Sequence, residues 1–287
     1  MQGLGNDFVI LDGVRHSIQI TPDLIRQMAD RHFGIGFDQL LLIEPTPALK
    51  PHADFSYRIF NADGTEVSQC GNGARCVGQF LYETRLVDPN ATRIVLATKE
   101  RYLEIEQGES GHITVNMGIP VFEPEQVPYI EPKYPTAPSA IQEFLTQTSK
   151  LSTPFGVVNV GNPHVVLRVE NINTINVEAW GRKIGADPAF PEGVNVGFMQ
   201  VLHSQQIALR VYERGAGETW ACGSGACAAT VIGGVRGWLD AQVNVKLRGG
   251  DLDIHWLGDH HSIRMTGPAK TVFKGKWLLE ERALFNS

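Results

Sequence analysis

The segments Cys70-Gly71-Asn72-Gly73-Ala74-Arg75-Cys76 and Cys222-Gly223-Ser224-Gly225-Ala226-Cys227 repeat one motif, a little more than half the chain apart. Each starts on a thiol, carries glycine at its second and fourth positions, and leads into helical spacing, Ala74 to Leu86 in one and Ala226 to Arg236 in the other. Glycines opening a helix let several backbone N–H groups point at one spot, where the unpaired donors of the first turn add partial positive charge. Such a spot suits a carboxylate ligand or the thiolate itself, so the expectation is that the Cys70 and Cys222 pKa values are lowered.

The flanks repeat too. Glu66 precedes Cys70 as Glu218 precedes Cys222, and Gly36-Phe37-x-Gln39-Leu40-Leu41 returns as Gly197-Phe198-x-Gln200-Val201-Leu202. Gly5-Asn6-x-x-Val9-Ile10-Leu11 returns as Gly161-Asn162-x-x-Val165-Val166-Leu167. Three pairs in one order at nearly constant spacing mark an internal duplication. Strands are expected at Phe8 to Leu11, Gln39 to Ile43 and Asp54 to Phe60, and a helix starts at Thr21-Pro22-Asp23, where threonine caps and proline takes the first helical position. The second half resumes with strands at Gly156 to Val160, His164 to Val169 and Val196 to Leu202, and a helix at Val177 to Ile184. Six prolines between Ile119 and Pro138 mark a crossing between lobes. The expectation is an α/β protein of two related lobes facing each other across a pseudo-twofold. Residues 1–115 with the returning tail 269–287 form one lobe, carrying Cys70, and residues 116–268 form the other, carrying Cys222.

The 287 residues are 43% hydrophobic and 20% charged, a globular composition that excludes collagen, a coiled coil or a disordered chain. The net charge of -6 includes no basic run able to track phosphates, so nucleic acid is not an expected partner. The apolar run Phe8 to Leu11 is too short for a signal peptide, and no stretch reaches the roughly 18 apolar residues of a membrane span. A soluble, cytoplasmic protein is expected. Four cysteines without a C-x-x-C pair fit neither a disulfide scaffold nor a zinc ribbon.

Two thiols reaching a bound carboxylate from opposite sides suggest inversion of the carbon next to that carboxylate. One thiolate removes the α-proton, the other thiol returns a proton to the opposite face, and the helix starts stabilise the enediolate. Other readings stand beside this one. Buried cysteine is a common core residue, which is the reading for Cys76 and Cys227, inside the helices. A phosphate loop would carry Gly-Lys-Ser/Thr, which both loops lack. Asn6, Asn61 and Asn195 adjoin turn residues and could serve turns alone, while His164 could be structural and Arg214 a surface ion-pair partner.

Further strings complete the pattern: Gly3-Leu-Gly-Asn-Asp-Phe8, Arg31-His-Phe-Gly-Ile-Gly-Phe-Asp-Gln-Leu40, Phe60-Asn-Ala-Asp-Gly-Thr-Glu-Val67, Gly161-Asn-Pro-His164, Asn195-Val-Gly-Phe198 and Tyr212-Glu-Arg-Gly-Ala-Gly-Glu-Thr219. Together with the two cysteine loops they resemble diaminopimelate epimerase, from Gly3 to about Pro268. Proline racemases share the fold and the paired cysteines but not this set. The resemblance implies an α+β fold in which each lobe is a curved, mostly antiparallel sheet around a central helix, with the active site in the cleft between lobes. It implies Cys70 and Cys222 as catalytic thiols and His164 and Glu213 as groups tuning their pKa values. Substrate would be held by Asn6, Gln39, Asn61, Asn162, Asn195, Glu213 and Arg214 and by the backbone of Gly71, Asn72, Gly223 and Ser224. It implies epimerisation of LL-diaminopimelate to the meso form for lysine and peptidoglycan precursor synthesis, with no metal and no pyridoxal cofactor. It also implies a homodimer, although Phe273 stands where some relatives place a tyrosine at that contact. Rival readings are a racemase of another amino acid on the same fold, or an amino-acid-binding or redox-sensing protein without catalysis.

Overall fold

The computed structural model describes residues 1–67, 71–99, 101–108, 111–130, 139–148 and 155–278; Cys70 lies outside them. Leu40 to Ile43 are all buried, and their alternation explains the layering. Leu40 and Leu42 pack with Ile25 and Met28 on one face of the sheet, while Leu41 and Ile43 pack with Ala74, Val77 and Leu81 on the other. A strand covered on both faces reads as a continuous apolar run.

In the first half the chain runs through β1 (Gln2–Gly3), β2 (Asn6–Asp12), α1 (Pro22–Ala29), β3 (Gln39–Pro45), β4 (Phe55–Asn61) and β5 (Glu66–Val67). It continues through α2 (Gly71–Glu83), β6 (Ile94–Ala97), β7 (Tyr102–Gln107) and β8 (Ile113–Gly118). After α3 (Ala140–Thr148) the second half follows with β9 (Phe155–Asn159), β10 (Pro163–Arg168), α4 (Val177–Gly185), β11 (Asn195–His203), β12 (Gln206–Glu213) and β13 (Gly217–Glu218). It ends with α5 (Gly223–Val235), β14 (Gln242–Leu247), β15 (Gly250–His255) and β16 (Ile263–Gly267).

The duplication is written into the strand pairing. Parallel β2–β3 has its counterpart in parallel β10–β11, and antiparallel β3–β4 in β11–β12. Parallel β4–β6 answers to β12–β14, and antiparallel β6–β7 to β14–β15. The halves join where β8 pairs antiparallel with β16, Val115 opposite Met265, so one continuous sheet path runs through both. α1 and α4 occupy equivalent crossovers on the outer faces, and α2 and α5 pack against each other and the inner faces, sharing one core. The fold is mixed α+β, as expected. The expected division at residue 115/116 falls inside β8.

Local chemistry explains most element ends. Thr21 Oγ1 accepts the Leu24 N–H at 3.2 Å and caps α1, with Pro22 at its first position. α2 and α5 begin three residues earlier than helical spacing suggested, directly on Gly71 and Gly223. Helix α3 was not expected; its apolar residues Ile141 and Phe144 are buried, and Phe144 meets Trp180 of α4 edge to face at 5.1 Å. Ser139 before Ile141, Phe144 and Leu145 is the signal that marks it. The proline-rich stretch from 131 to 138 lies outside the described residues.

Two tight turns from opposite halves meet beside the site. Leu4 and Gly5 both have positive φ (58° and 88°) and link β1 to β2, as a two-residue hairpin loop of this hand requires. Gly249, in the β14–β15 turn, lies so near that a Cβ there would sit 1.9 Å from the Leu4 carbonyl oxygen. The residues after β16 return to the first half, where Lys270 and Gln2 exchange backbone hydrogen bonds of 2.8 and 2.9 Å.

Candidate active site

A cavity of about 870 Å³ opens between residues of the two halves. Gly5, Asn6, Gln39, Asn61, Gly71 and Asn72 line it from the first; Gly161, Asn162, Glu213, Cys222, Gly223 and Ser224 line it from the second. Both central helices therefore begin on its wall. Gly223 is needed for the close packing there, since a Cβ would lie 2.8 Å from the Met265 sulfur.

Cys222 is the N-cap of α5: its Sγ accepts the Gly225 N–H at 3.4 Å and lies 3.5 Å from Ser224 Oγ. The expected lowering of its pKa does not occur. Burial first, and then the neighbouring Glu213 carboxyl, push the thiol well above its ordinary value, and the donors from Ser224 and Gly225 only partly oppose them. Glycine spacing shows that donors converge here, but desolvation depends on what the rest of the fold places around the thiol. Cys76 and Cys227 are buried in the helices, as expected. Burial pushes Cys227 up to about 12.

Glu213 ends β12, and Thr219, beyond the β13 turn, donates to its Oε1 at 2.5 Å. Burial raises the Glu213 pKa, against the hydrogen bonds from Thr219 and Cys222. His164 on β10 is fully buried behind the wall. Its Nε2 lies 3.1 Å from Asn162 Oδ1 and 3.0 Å from Ser224 Oγ, which links the ring through Ser224 to Cys222. Burial, and then the Arg214 charge, bring its pKa down to about 3, so the imidazole is neutral.

On the opposite wall Gln39 Nε2 donates to Asn61 Oδ1 at 2.9 Å, and Asn61 Nδ2 donates to Thr65 Oγ1 at 3.2 Å. Asn6 Nδ2 donates to Asp38 Oδ2 at 2.7 Å, beside the ion pairs of Arg31 with Asp7 and Asp38 at 2.8 and 2.9 Å. Asn195 and Arg214 do not line the cavity. Asn195 is buried, donating to the Pro163 carbonyl and accepting the Arg214 N–H, and the Arg214 guanidinium donates to the Glu192 carbonyl at 2.7 Å. Wall residues not named from the sequence as site residues include Arg31, Asp38, Thr219 and Trp220. Trp220 packs on Gly5 and under the Arg248 guanidinium, 4.5 Å from the ring centre. Thr219 meets Glu213 only six residues away, across the β13 turn, while Arg31 reaches Asp7 from 24 residues away.

The fold recurs in solved structures of low sequence identity. A PhzF-family phenazine biosynthesis protein of Bacillus anthracis aligns over 93% of this chain and 91% of its own, with a TM-score of 0.63 and 18% identity. A probable proline racemase of Agrobacterium radiobacter aligns over 93% and 88%, with a TM-score of 0.63 and 14% identity. In class, then, this is one of the duplicated α+β proteins built around two central helices. Sequence narrows the class. The model of the family described as diaminopimelate epimerase matches residues 1–123 and 156–272. The diaminopimelate epimerase of Alkalilimnicola ehrlichii is 48% identical over 280 residues, 98% of each chain. That of Halorhodospira halophila is 49% identical over 276 residues, 96% of this chain and 93% of its own. The chain belongs to the diaminopimelate epimerase family, which bears out the resemblance read from its strings.

Proposed function

We propose that the protein interconverts LL-2,6-diaminopimelate and meso-diaminopimelate, using Cys70 and Cys222 as the two proton carriers. The observation that carries the proposal is the meeting, on one cavity wall, of Cys222 at the start of α5 with Gly71 and Asn72 at the start of α2, in a chain of this family. The carboxylate of the reacting centre is held by backbone N–H groups of Gly71, Asn72, Gly223 and Ser224. One thiolate takes the α-proton, the electron pair moves into the carboxylate as an enediolate, and the helix N-termini stabilise that charge. The other thiol gives its proton to the opposite face and is left as thiolate, so the two cysteines exchange protonation states in each turnover.

The raised pKa of Cys222 keeps it a thiol in the substrate-free site, as a proton donor requires, and when Cys222 instead acts as the base, Glu213 is the group to which its proton can pass. His164 acts on the thiols through Ser224. Asn6, Gln39 and Asn162 orient the near end of the substrate. Asn61, Asn195 and Arg214 recognise its distal amino-acid group, which requires the Arg214 guanidinium to leave the Glu192 carbonyl for the distal carboxylate. The two halves joined at β8 and β16 act as the two lobes, and the enzyme is a cytoplasmic homodimer. Among the described residues no helix is long and apolar enough to cross a membrane.

The test is incubation of the purified protein with LL-diaminopimelate in deuterated water, without added cofactor, following the α-proton signal and the meso product. Solvent exchange with formation of the meso isomer is expected. Absence of both, or equal turnover of proline, overturns the proposal.

A further inference from the structure

We infer that Arg75 is a positioning residue for the reaction: through the Asn72 side chain it ties the start of α2 to the backbone that carries Cys222. Arg75 is fully buried on α2, and its Nη2 donates to Asn72 Oδ1 at 3.0 Å. The other end of the same amide, Asn72 Nδ2, donates to the Ala221 carbonyl at 3.0 Å, immediately before Cys222. A carboxamide has one accepting end and one donating end. With its oxygen engaged by Arg75, Asn72 presents its nitrogen to Ala221; flipped, it would set oxygen against a carbonyl oxygen. Arg75 is itself anchored across the junction of the halves, with Nη1 3.5 Å from the Met265 sulfur on β16 and Nε donating to the Pro268 carbonyl at 3.4 Å.

The duplication shows that this tie runs one way. Asn72 corresponds to Ser224, and Arg75 to Cys227. Ser224 turns inward to His164 and Cys222, whereas Asn72 reaches across to the other half. Arg75 and Cys227 lie on α2 and α5, which pack against each other, and the Arg75 charge acts on the Cys227 thiol. The long side chain there comes from the first half, and the second half supplies a small, fully buried cysteine. The arrangement makes the placement of Cys222 depend on α2.

The inference rests on Cys222 being an acid/base thiol, and its test has an arm that does not. Asn72→Leu keeps the shape of the side chain and removes both hydrogen bonds; Arg75→Lys keeps the charge and loses the fork. For each variant, kcat is measured per folded molecule, and the rate of Cys222 alkylation by iodoacetamide is followed by peptide mass mapping across pH without substrate. Misplacement of the thiol is expected to lower kcat roughly a hundredfold in each variant. The double variant falls no further than the worse single one, because both act through one contact. The buried Cys222 thiol is expected to alkylate at least about fivefold faster in both, since the segment over it opens more easily. A purely structural role would lower the melting temperature and leave kcat per folded molecule and Cys222 alkylation at wild-type values, which overturns the inference. So do multiplicative losses in the double variant. If one single variant does not fold, the other carries the same two readouts. Wild-type turnover by a Cys222→Ala variant would instead overturn the two-thiol reading, leaving the alkylation result to decide on Arg75.

Discussion

Replacing His164 measures how far burial controls protonation at this site. The ring is fully buried, and burial together with the Arg214 charge takes its pKa from 6.5 to about 3. The unfolded chain therefore binds a proton near pH 6.5 that the folded protein refuses until about pH 3, so stability is lost as pH falls through that window. At pH 5 the loss amounts to about 2 kcal/mol, from roughly 1.5 pH units at 1.36 kcal/mol each, and it levels off at roughly 5 kcal/mol below about pH 3. His164→Gln places an amide nitrogen near the position of Nε2, so the contacts to Asn162 and Ser224 can be kept without a titrating group. Urea unfolding of wild type and variant, followed by tryptophan fluorescence at pH 8 and pH 5, isolates the contribution. The wild type should lose about 2 kcal/mol more than the variant between the two pH values. Equal losses, or an NMR titration of His164 near pH 6.5, would refute the reasoning.

Cys70→Ala and Cys222→Ala should each abolish epimerisation in the deuterium-exchange assay, while Cys76→Ala and Cys227→Ala keep most activity, since neither of the latter lines the cavity. Thr219→Val removes a hydrogen bond to the Glu213 carboxyl and should move the acid limb of kcat/KM about one to two pH units upward, with Thr219→Ser restoring it. An unchanged limb would mean that the ionisation of Glu213 does not govern activity. Gly249→Ala drives a Cβ into the Leu4 carbonyl oxygen, and thermal melts should show a loss of about 1–3 kcal/mol or more. A melting temperature equal to wild type would show that the two hairpins are not in firm contact.

Much of the fold was legible because its signals are local or repeat. Gly5-Asn6 followed by Val9, Ile10 and Leu11, and Gly161-Asn162 followed by Val165, Val166 and Leu167, lead into strands that both pair in parallel with the next strand of their half. Thr21 and Pro22 specify the start of α1 through their own side chains. The glycine-rich loops are legible as helix starts from their spacing alone, whereas the close approach of Gly223 to Met265 is visible only in the fold. Helix α3 carried a readable pattern that the neighbouring prolines obscured.

What the residue order alone determined is the chain's duplication, its family and the positions of its two helix-opening thiol loops, all of which depend on side-chain pattern over short distances. The tertiary structure decided the electrostatics. The donors at the start of α5 favour a thiolate, but the burial of Cys222 and its proximity to Glu213 outweigh them, and both depend on residues brought in from elsewhere in the chain. It also turned Arg214 toward the Glu192 carbonyl, brought Trp220 between Gly5 and Arg248, and set Asn72 against Ala221 from the other half. Each of these joins residues far apart in sequence, and the energy of such a contact depends on distance and desolvation, quantities that exist only once the chain has folded.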